Sequence, residues 1–437
     1  MGSLTRRDWA RLIWVVALTL GLMASAVQAQ EPTFTVRGEG TALTRLSLKL
    51  EVGQGLDRPA MLQMARATQR ALHSSGFFSV SILPPGQSLS GAGSWGEGQV
   101  PYPIRLSVGR QPDESRRVLV EVQEAGIGRT SLQRQFEIRG GTNTDIGYAV
   151  ADILYAYFLE RPGYFTERLL FVQTALDQGR KVHQIASSDL FGEDLRVHVS
   201  SRSELTSPKM TPDRRGVVYV AIRNERPQLF RKNFAENREQ PVFNDREIRF
   251  APAFDNAGNL YYTKVVEGNS DIYRVALGSR REQRLTTDPD IETAPAVSPD
   301  GGRLAYVSDA GARLRVIVRP VNGGASQTLG TAGGSYGSPS WSPDGSTMAV
   351  TRQSGGTFSI TVIDLDTGQE KNLSTSFFEQ HPIWAENGKV LVFERAGRGG
   401  GVESGLWQVD LDTTHLFRLP IEGRPRDPAW TRPAGGD

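Results

Sequence analysis

The chain has 437 residues, of which 50 are Lys or Arg and 48 are Asp or Glu, and it contains no cysteine. The missing thiols exclude cysteine catalysis, thiolate metal sites and stabilisation by disulfides. The near-balance of charge argues against a partner recruited by bulk electrostatics, such as nucleic acid or an anionic lipid surface.

The first 29 residues are predicted to be an export signal. Three arginines within the first eleven residues precede an apolar run from Leu12 to Val27, which is short for a membrane-spanning helix. Cleavage is expected after Ala29, with Ala26 as the alternative. The arginine pair only partly resembles a twin-arginine signal and nothing suggests a cofactor loaded before export, so we favour the general secretory route. Removing these three Arg and one Asp leaves 47 basic and 47 acidic residues.

Residues 30–162 are predicted to form a small mixed α/β domain. Residues 43–52 alternate between apolar and polar side chains, as a half-buried strand does. Asp57 suits an N-cap and Pro59 the first turn of a helix that stops at Ser75-Gly76. A second helix is expected from about Asp145. Further strand patterns lie at residues 78–82, 104–108, 118–122 and 136–138, and residues 84–100 are predicted to be a flexible loop.

Six prolines recur along the remaining chain at spacings of 43 to 46 residues: Pro208, Pro252, Pro295, Pro339, Pro382 and Pro428. An apolar or aromatic residue follows each one two positions later. A turn such as Ser342-Pro343-Asp344-Gly345 and further strands come next. A period of about 40–45 residues with four short strands per repeat is typical of a β-propeller. Residues 163–437 are therefore predicted to be mainly β, as a six-bladed β-propeller.

The two ends of this region complete each other. The segment from Leu169 to Leu205 supplies three strands but no Pro-led first strand. Residues Asp427 to Trp430 supply a Pro-led strand followed by almost nothing. The last blade is therefore predicted to be split, with one C-terminal and three N-terminal strands closing the ring.

The sequence resembles the TolB family, the periplasmic propellers of the bacterial Tol–Pal system. The resemblance covers the whole chain, including the repeated Pro-x-Trp-Ser-Pro-Asp-Gly turns. Residues 163–172 match the family pattern Gly-x-Phe-x-x-Arg-Ile-x-Tyr-Val, and residues 72–78 resemble the helix end Leu-x-x-Ser-Gly-x-Phe. Between Ser88 and Ile104 the chain departs from the family, because Gly and Ser stand where a Trp-containing helix is usual.

This resemblance implies a monomeric, non-enzymatic module of the periplasm that needs no cofactor. It implies that the chain links the outer-membrane lipoprotein Pal with the inner-membrane TolA, TolQ and TolR complex. The implied roles are outer-membrane integrity and envelope constriction during cell division. The rival class is an exported propeller enzyme, peptidase-like or lyase-like, which would need a convergent polar constellation or a second catalytic domain.

The loops that lead into the Pro-led strands should converge on one mouth of the central channel. Their mixed charge suits a polar protein–protein site, and the resemblance implies that Pal docks there. The predicted Pal-binding residues are Arg246, Glu247, Arg249, Glu292, Thr293, Tyr336, Glu379, His381, Arg424 and Arg426.

The mature N-terminus, residues 30–36, offers a second candidate site. Phe34 and Val36 are apolar where a solvated tail is usually polar, and the segment could be added as a strand to a partner's sheet edge. The resemblance implies that Glu31, Phe34 and Val36 reach TolA. The alternative is a frayed terminus without a role.

Other chemistries have weaker support. Residues 333–337 fit the Gly-x-Ser-x-Gly string of serine hydrolases, yet no helical pattern follows Ser335. No two histidines have the spacing of a zinc helix. His381 could be a solvated loop residue or a binding residue. Acidic pairs such as Asp364 and Asp366 suit turns and lack the pattern of a calcium loop, so no metal site is predicted.

Overall fold

The computed structural model describes residues 43–52, 57–83, 102–124, 129–279, 281–330, 333–397 and 404–431. The predicted export signal, the N-terminal segment of residues 30–36 and the loop of residues 84–100 lie outside these ranges. Within them, no helix is long and apolar enough to cross a membrane. The chain divides after Thr166 into two compact units.

The first unit is a five-stranded mixed sheet with two helices. Its elements are β1 (Thr44–Val52), α1 (Arg58–Ser74), β2 (Phe78–Ile82), β3 (Tyr102–Arg110), β4 (Arg116–Gln123), β5 (Thr130–Ile138) and α2 (Asn143–Leu159). The strand order is β2-β1-β3-β4-β5, with β1 parallel to both of its neighbours. As predicted, Asp57 caps α1 by accepting a hydrogen bond from the Ala60 N–H at 2.9 Å. Helix α2 begins two residues earlier than expected, because Thr142 and Asp145 form a capping box.

Asp152 of α2 fixes the chain where this unit ends. Its carboxylate accepts hydrogen bonds from the Phe165 N–H at 2.7 Å and from the Thr166 hydroxyl at 2.7 Å. Burial raises the pKa of Asp152 to about 6, against these hydrogen bonds, which favour the charged form. The aromatic rings of Tyr164 and Phe165 pack edge-on against Tyr155 of the same helix. The last residues of this unit, 164–166, are therefore held against α2.

The second unit is a propeller of six four-stranded blades. Its N-terminal strands are β6 (Arg168–Asp177), β7 (Arg180–Asp189) and β8 (Arg196–Ser201). Blade 1 contains β9 (Leu205–Met210), β10 (Gly216–Arg223), β11 (Arg226–Asn233) and β12 (Arg238–Pro241). Blade 2 contains β13 (Arg249–Phe254), β14 (Asn259–Val266), β15 (Asn269–Ala276) and β16 (Gln283–Arg284). Blade 3 contains β17 (Glu292–Val297), β18 (Arg303–Ser308), β19 (Arg315–Pro320) and β20 (Gln327–Leu329), with a 3-10 turn at Ala310–Ala312.

The last three blades complete the ring. Blade 4 contains β21 (Ser335–Trp341), β22 (Thr347–Ser354), β23 (Thr357–Asp364) and β24 (Glu370–Ser376). Blade 5 contains β25 (Glu379–Trp384), β26 (Val390–Arg395), β27 (Gly405–Asp410) and β28 (Leu416–Arg418). Strand β29 (Arg426–Trp430) joins the three N-terminal strands in blade 6, in the order β29-β6-β7-β8. This confirms the predicted split-blade closure, with Ala429 opposite Leu170 and Trp430 opposite Leu169.

The repeated turns follow the chemistry expected from their sequence. The Ser342 hydroxyl donates to Asp344 at 2.6 Å and accepts from the Thr347 N–H at 2.9 Å. Gly345 adopts a φ of 70°, which a glycine reaches without steric cost. The same arrangement recurs at Ser298 and Asp300. The motif is thus a self-bonded hairpin turn and carries no reactive group.

The apolar cores lie between adjacent blades. Val307 and Val316 of blade 3 share one core with Trp341 and Val350 of blade 4. The buried tryptophans also link the first strands of neighbouring blades by hydrogen bonds, each worth about 1 kcal/mol net. The Trp341 indole donates to the Ala296 carbonyl at 3.1 Å, and the Trp384 indole donates to the Ser340 carbonyl at 3.0 Å. Each blade is therefore held by its neighbours.

Deletion of residues 426–437 should open the ring. The truncation removes β29, so β6 loses its ladder partner and becomes an exposed edge. We expect the truncated protein to lose cooperative unfolding or soluble export, as measured by thermal melts and by periplasmic yield. Truncation after Thr431 is the matched control, since it keeps β29 whole. An unchanged melting profile for the longer deletion would contradict closure through β29.

Candidate functional site

The first strands of the six blades surround a central channel. These inner strands are β9, β13, β17, β21, β25 and β29, and residues from all of them line a cavity of about 120 Å³. In every inner strand the residue before the repeated proline has a left-handed backbone, with φ between 49° and 54°. These residues are Ser207, Ala251, Ala294, Ser338, His381 and Asp427.

The repeated prolines explain this backbone. An inner strand is the edge of its blade, and its pairing register shifts at the proline in all six blades. Proline lacks an N–H and is tolerated in sheets at edges and at bulges. The extra bulge residue takes the left-handed conformation, which is uncommon for residues other than glycine. The repeat thus forms a ring of six bulges around the channel.

Arg249 heads β13, but the structure buries it in an ionic network. Its side chain is 2% exposed. Its guanidinium donates to Asp245 at 2.5 Å, to Glu247 at 2.9 Å and to Glu282 at 3.0 Å. The guanidinium also lies 4.0 Å from the centre of the Phe243 ring. The structure therefore does not place Arg249 at the exposed rim, because its guanidinium is paired with carboxylates inside the protein.

Glu292 and Thr293 at the head of β17 are also buried, with 1% and 2% exposure. Burial raises the pKa of Glu292 to about 8, and the neighbouring Asp288 and Asp271 carboxylates push it in the same direction. The Thr293 hydroxyl pairs with that of Thr263 in blade 2 at 3.2 Å. Neither residue is placed to touch a docked protein, which corrects the expectation for both.

Tyr336 and Glu379 are fully buried as well. The Tyr336 hydroxyl donates to Glu370 at 3.1 Å. The Glu379 carboxylate accepts hydrogen bonds from Arg395 at 2.8 Å and from the Ser374 hydroxyl at 2.6 Å. Both side chains are hydrogen-bonded inside the protein at the start of an inner strand, so the structure does not place them at the exposed mouth either.

His381 belongs to a charge cluster at the closure of the ring. Its Nδ1 lies 3.0 Å from Asp427 Oδ1 in β29 and 3.7 Å from Glu394 Oε2 in β26. Burial disfavours the imidazolium, but the two carboxylates outweigh it and raise the pKa of His381 to about 9. Burial likewise opposes ionisation of Asp427, and His381 holds the pKa of Asp427 well below its usual range. The pair is therefore ionised at neutral pH.

Asp427 ties three blades together. Its Oδ2 accepts hydrogen bonds from the Ser207 N–H of blade 1 at 3.3 Å and from Arg426 at 3.1 Å. Its own N–H donates to Glu394 of blade 5 at 3.3 Å. Arg426 is half-buried and also donates to the Leu205 carbonyl of blade 1 at 3.0 Å. The cluster thus bridges blade 6 to both neighbours.

This cluster is the one group of three described His and acidic residues whose ligand atoms all lie within 4.8 Å of one another. A cation there would need a neutral imidazole. The carboxylates instead already accept hydrogen bonds and face a protonated His381. The donor set fits an internally compensated ion cluster better than a metal centre.

Three predicted residues remain exposed at the heads of the inner strands: Arg246, Glu247 and Arg424. Because the six blades share one strand order and one bulge position, these strand heads lie at the same end of the channel. Sequence reasoning missed Asp427 and Glu394. Asp427 precedes Pro428 as His381 precedes Pro382, so superposing the repeats would have placed both in the ring. Ser335 starts β21 and does not sit on a strand-to-helix elbow.

A protein-family model described as the TolB beta propeller domain matches residues 155–433. The Tol-Pal system protein TolB of Anaeromyxobacter dehalogenans (strain 2CP-C) is 26% identical over 295 residues, or 65% of this chain and 67% of that protein. The protein of the same name from Anaeromyxobacter sp. (strain K) has the same identity and coverage. The crystal structure of TolB from Acinetobacter baumannii has a TM-score of 0.74 at 23% identity and covers 89% of this chain and 97% of its own, which shows a shared fold. Since the family model spans well over half of the sequence, the chain belongs to the TolB β-propeller family.

Proposed function

We propose that the chain is a non-enzymatic interaction module of the Tol–Pal system in the periplasm. Family membership carries the proposal, together with the name Tol-Pal system protein TolB of its relatives. The module links the lipoprotein Pal with the TolA, TolQ and TolR complex. Its roles are outer-membrane integrity and envelope constriction during division.

The channel mouth is the proposed Pal site. The first residues of several inner strands are buried at this mouth. The side chains of Arg246, Glu247 and Arg424, in the loops just before these strands, are exposed there. Isolated rim charges act mainly on the association rate and on specificity. A pull-down of the mature protein from envelope extract tests the proposal as a whole, with Pal expected among the captured proteins.

A propeller enzyme remains the competing class. Catalysis would need polar groups that converge on a substrate and are free to react. The ionisable groups that we can place around the inner strands are largely engaged with one another, as in the Arg249 network and the His381 cluster. This engagement favours a scaffold for binding over a catalytic centre.

Charge reversal at the mouth should slow Pal association. We expect the Arg246→Glu and Arg424→Glu double variant to lower the association rate roughly tenfold at low salt. The effect should shrink at physiological salt, where the Debye length is about 8 Å. Surface plasmon resonance at two ionic strengths measures this. The matched control is Arg281→Glu, an exposed arginine in the turn between the third and fourth strands of blade 2.

The same measurement can contradict the assignment. Equal association rates for the double variant and for wild type would show that Pal binds elsewhere than at this mouth. Reversal of Arg249 or Glu292 is unsuitable for this purpose, because these buried residues should destabilise the fold when changed.

The N-terminal segment is the proposed TolA contact, through Glu31, Phe34 and Val36. A mature protein that starts at Gly38 should fold and bind Pal but lose TolA. A Phe34→Ser and Val36→Ser variant of the full mature chain should show the same loss, because an added strand needs these side chains to fill pockets. Calorimetry with purified TolA and Pal reads both effects. Full TolA binding by the shortened protein would make the segment a mere tail.

A further inference from the structure

Glu292 differs from the other charged residues that begin inner strands, because no opposite charge is paired with it. The third residue before the repeated proline is charged in blades 2, 3 and 5, as Arg249, Glu292 and Glu379. Arg249 donates to three carboxylates, and Glu379 pairs with Arg395 of the second strand at 2.6 Å. In blade 3 the residue opposite Glu292 is Ser308, at the position that Arg395 takes in blade 5.

The Glu292 carboxylate is also buried without enough hydrogen-bond donors. The residue is 1% exposed, and its Oε2 atom accepts no hydrogen bond from the part of the chain that the structure describes. The Thr286 hydroxyl favours ionisation of Glu292, whereas the Asp288 and Asp271 charges oppose it. Burying a charged carboxylate in this way is costly, so its neutral form is favoured.

The elements packed around Glu292 bring more negative than positive charge. Strand β15 contributes Asp271, which is 1% exposed, and the loop before β17 contributes Asp288. Strand β16 contributes Arg284, whose guanidinium is already paired with Asp271 at 2.8 Å. Directly after β18, Asp309 adds a further carboxylate, which accepts a backbone hydrogen bond from the loop before β17 at 2.7 Å.

A second guanidinium, that of Arg319 in β19, approaches the same loop. It donates to the Leu285 carbonyl and lies 5.9 Å from the centre of the Tyr306 ring. Burial and the Glu292 charge raise the pKa of Tyr306 to about 12, so this side chain stays neutral. The four carboxylates named above therefore face two guanidinium groups, and buried like charges disfavour one another's ionisation.

A proton on Glu292 reduces this excess of negative charge. Burial raises the pKa of Glu292 to about 8, and the two neighbouring carboxylates act in the same direction. In the unfolded chain a glutamate has a pKa of about 4.3. The folded protein therefore binds this proton more tightly than the unfolded chain does, and the stability due to it should fall as the pH rises from about 4.3 to about 8.

Residues 285–291, which we call the lead-in loop of β17, connect this cluster to the channel mouth. Asp288 of this loop is exposed, whereas Glu292 is buried. The Asn269 side chain donates to the Asp288 carbonyl at 3.0 Å, and the Ser270 hydroxyl donates to the Glu292 carbonyl at 3.0 Å. An ionised Glu292 repels the Asp288 carboxylate and so acts against these contacts of the loop.

We propose that a proton on Glu292 holds the lead-in loop in place, and that loss of this proton releases the loop and weakens docking at the channel mouth. The release of the loop is a property of the chain itself. Its effect on docking rests on the proposed function, in which Pal binds at this mouth.

Hydrogen exchange of the mature protein tests the release of the loop. Unlike a charge reversal, Glu292→Gln keeps the side chain neutral at every pH and imitates its protonated form. The lead-in loop should exchange equally in both proteins at about pH 6.5, and roughly threefold faster in wild type at about pH 9, where Glu292 is mostly ionised. Comparison of the two proteins at one pH cancels the intrinsic pH dependence of exchange. The matched control is Glu267→Gln, an exposed residue of the β14–β15 turn, which should behave as wild type does.

Asp288→Asn provides a second test that does not change a buried residue. The substitution removes a neighbouring negative charge, so the midpoint of the pH-dependent loop exchange should move to lower pH. An unchanged midpoint would contradict the coupling between Asp288 and Glu292. Equal loop exchange in wild type and Glu292→Gln at both pH values would overturn the proposal.

Thermal melts give an independent check. At about pH 9, Glu292→Gln should melt several degrees above wild type, because it removes a buried charge that lacks a partner. Glu379→Gln should melt below wild type at every pH, since it leaves Arg395 unpaired. A lower Tm for Glu292→Gln at high pH would show that the charged form makes a stabilising contact, and it would overturn the proposal.

Binding of purified Pal tests the effect on docking. The affinity of wild type for Pal should fall roughly fivefold from about pH 6.5 to about pH 9, and that of Glu292→Gln should fall much less. The same pH dependence in both proteins would overturn the effect on docking. If Pal does not bind at all, the proposed function fails, whereas hydrogen exchange still decides whether Glu292 releases the loop.

Discussion

The pairing of β29 with β6 closes the ring of the propeller, and the rest of the structure depends on it. These strands are more than 250 residues apart in sequence, yet they form adjacent strands of one blade. Closing so long a loop costs entropy that grows slowly with length, while closure removes two exposed edges at once. Adjacent blades share apolar cores, and the Trp341 and Trp384 indoles add hydrogen bonds between neighbouring inner strands. An open ring would leave those inter-blade surfaces unpaired at one position.

The charge cluster of the channel depends on the same closure. Asp427 lies in β29, and its partners Ser207, His381 and Glu394 come from blades 1 and 5. The ions are therefore desolvated together only when the ring is shut. An unpaired member would be strongly destabilising, because a buried charge without compensation costs several kcal/mol. The cluster thus favours the closed register over alternatives in which β29 is displaced.

The repeat made most of the fold predictable. Proline spacing, turn chemistry at Ser342 and Asp344, and the unmatched ends sufficed for six blades with a split closure. Short-range rules also located both helices, with an error of two residues where the Thr142 capping box was overlooked. These features depend on local sequence, which is why they can be read before the structure is known.

The candidate site was less predictable, because burial at the strand heads depends on distant partners. Buried Arg249 donates a hydrogen bond to Glu282, which is 33 residues away in sequence, and buried Glu379 accepts one from Arg395 in the next strand. A position before a proline indicates a strand head but does not say whether its side chain points to solvent or to the adjacent blade. The pairing of His381 with Asp427 needs the closed ring, so only an overlay of all six repeats could have suggested it.

The pKa of His381, measured by histidine NMR of the mature protein, tests this account most directly. The His381 signal is assigned through a His381→Gln variant. The closed cluster predicts a pKa of about 9 for His381. This folded-state pKa is higher than the pKa of about 6.5 in the unfolded chain. The His381–Asp427 pair should therefore stabilise the fold fully below pH 6.5, and its contribution should be lost as the pH rises through about 9. Asp427→Asn should bring the pKa of His381 down. A His381 that titrates near 6.5 in the wild-type protein would contradict the ionised His381–Asp427 pair that closure of the ring brings together.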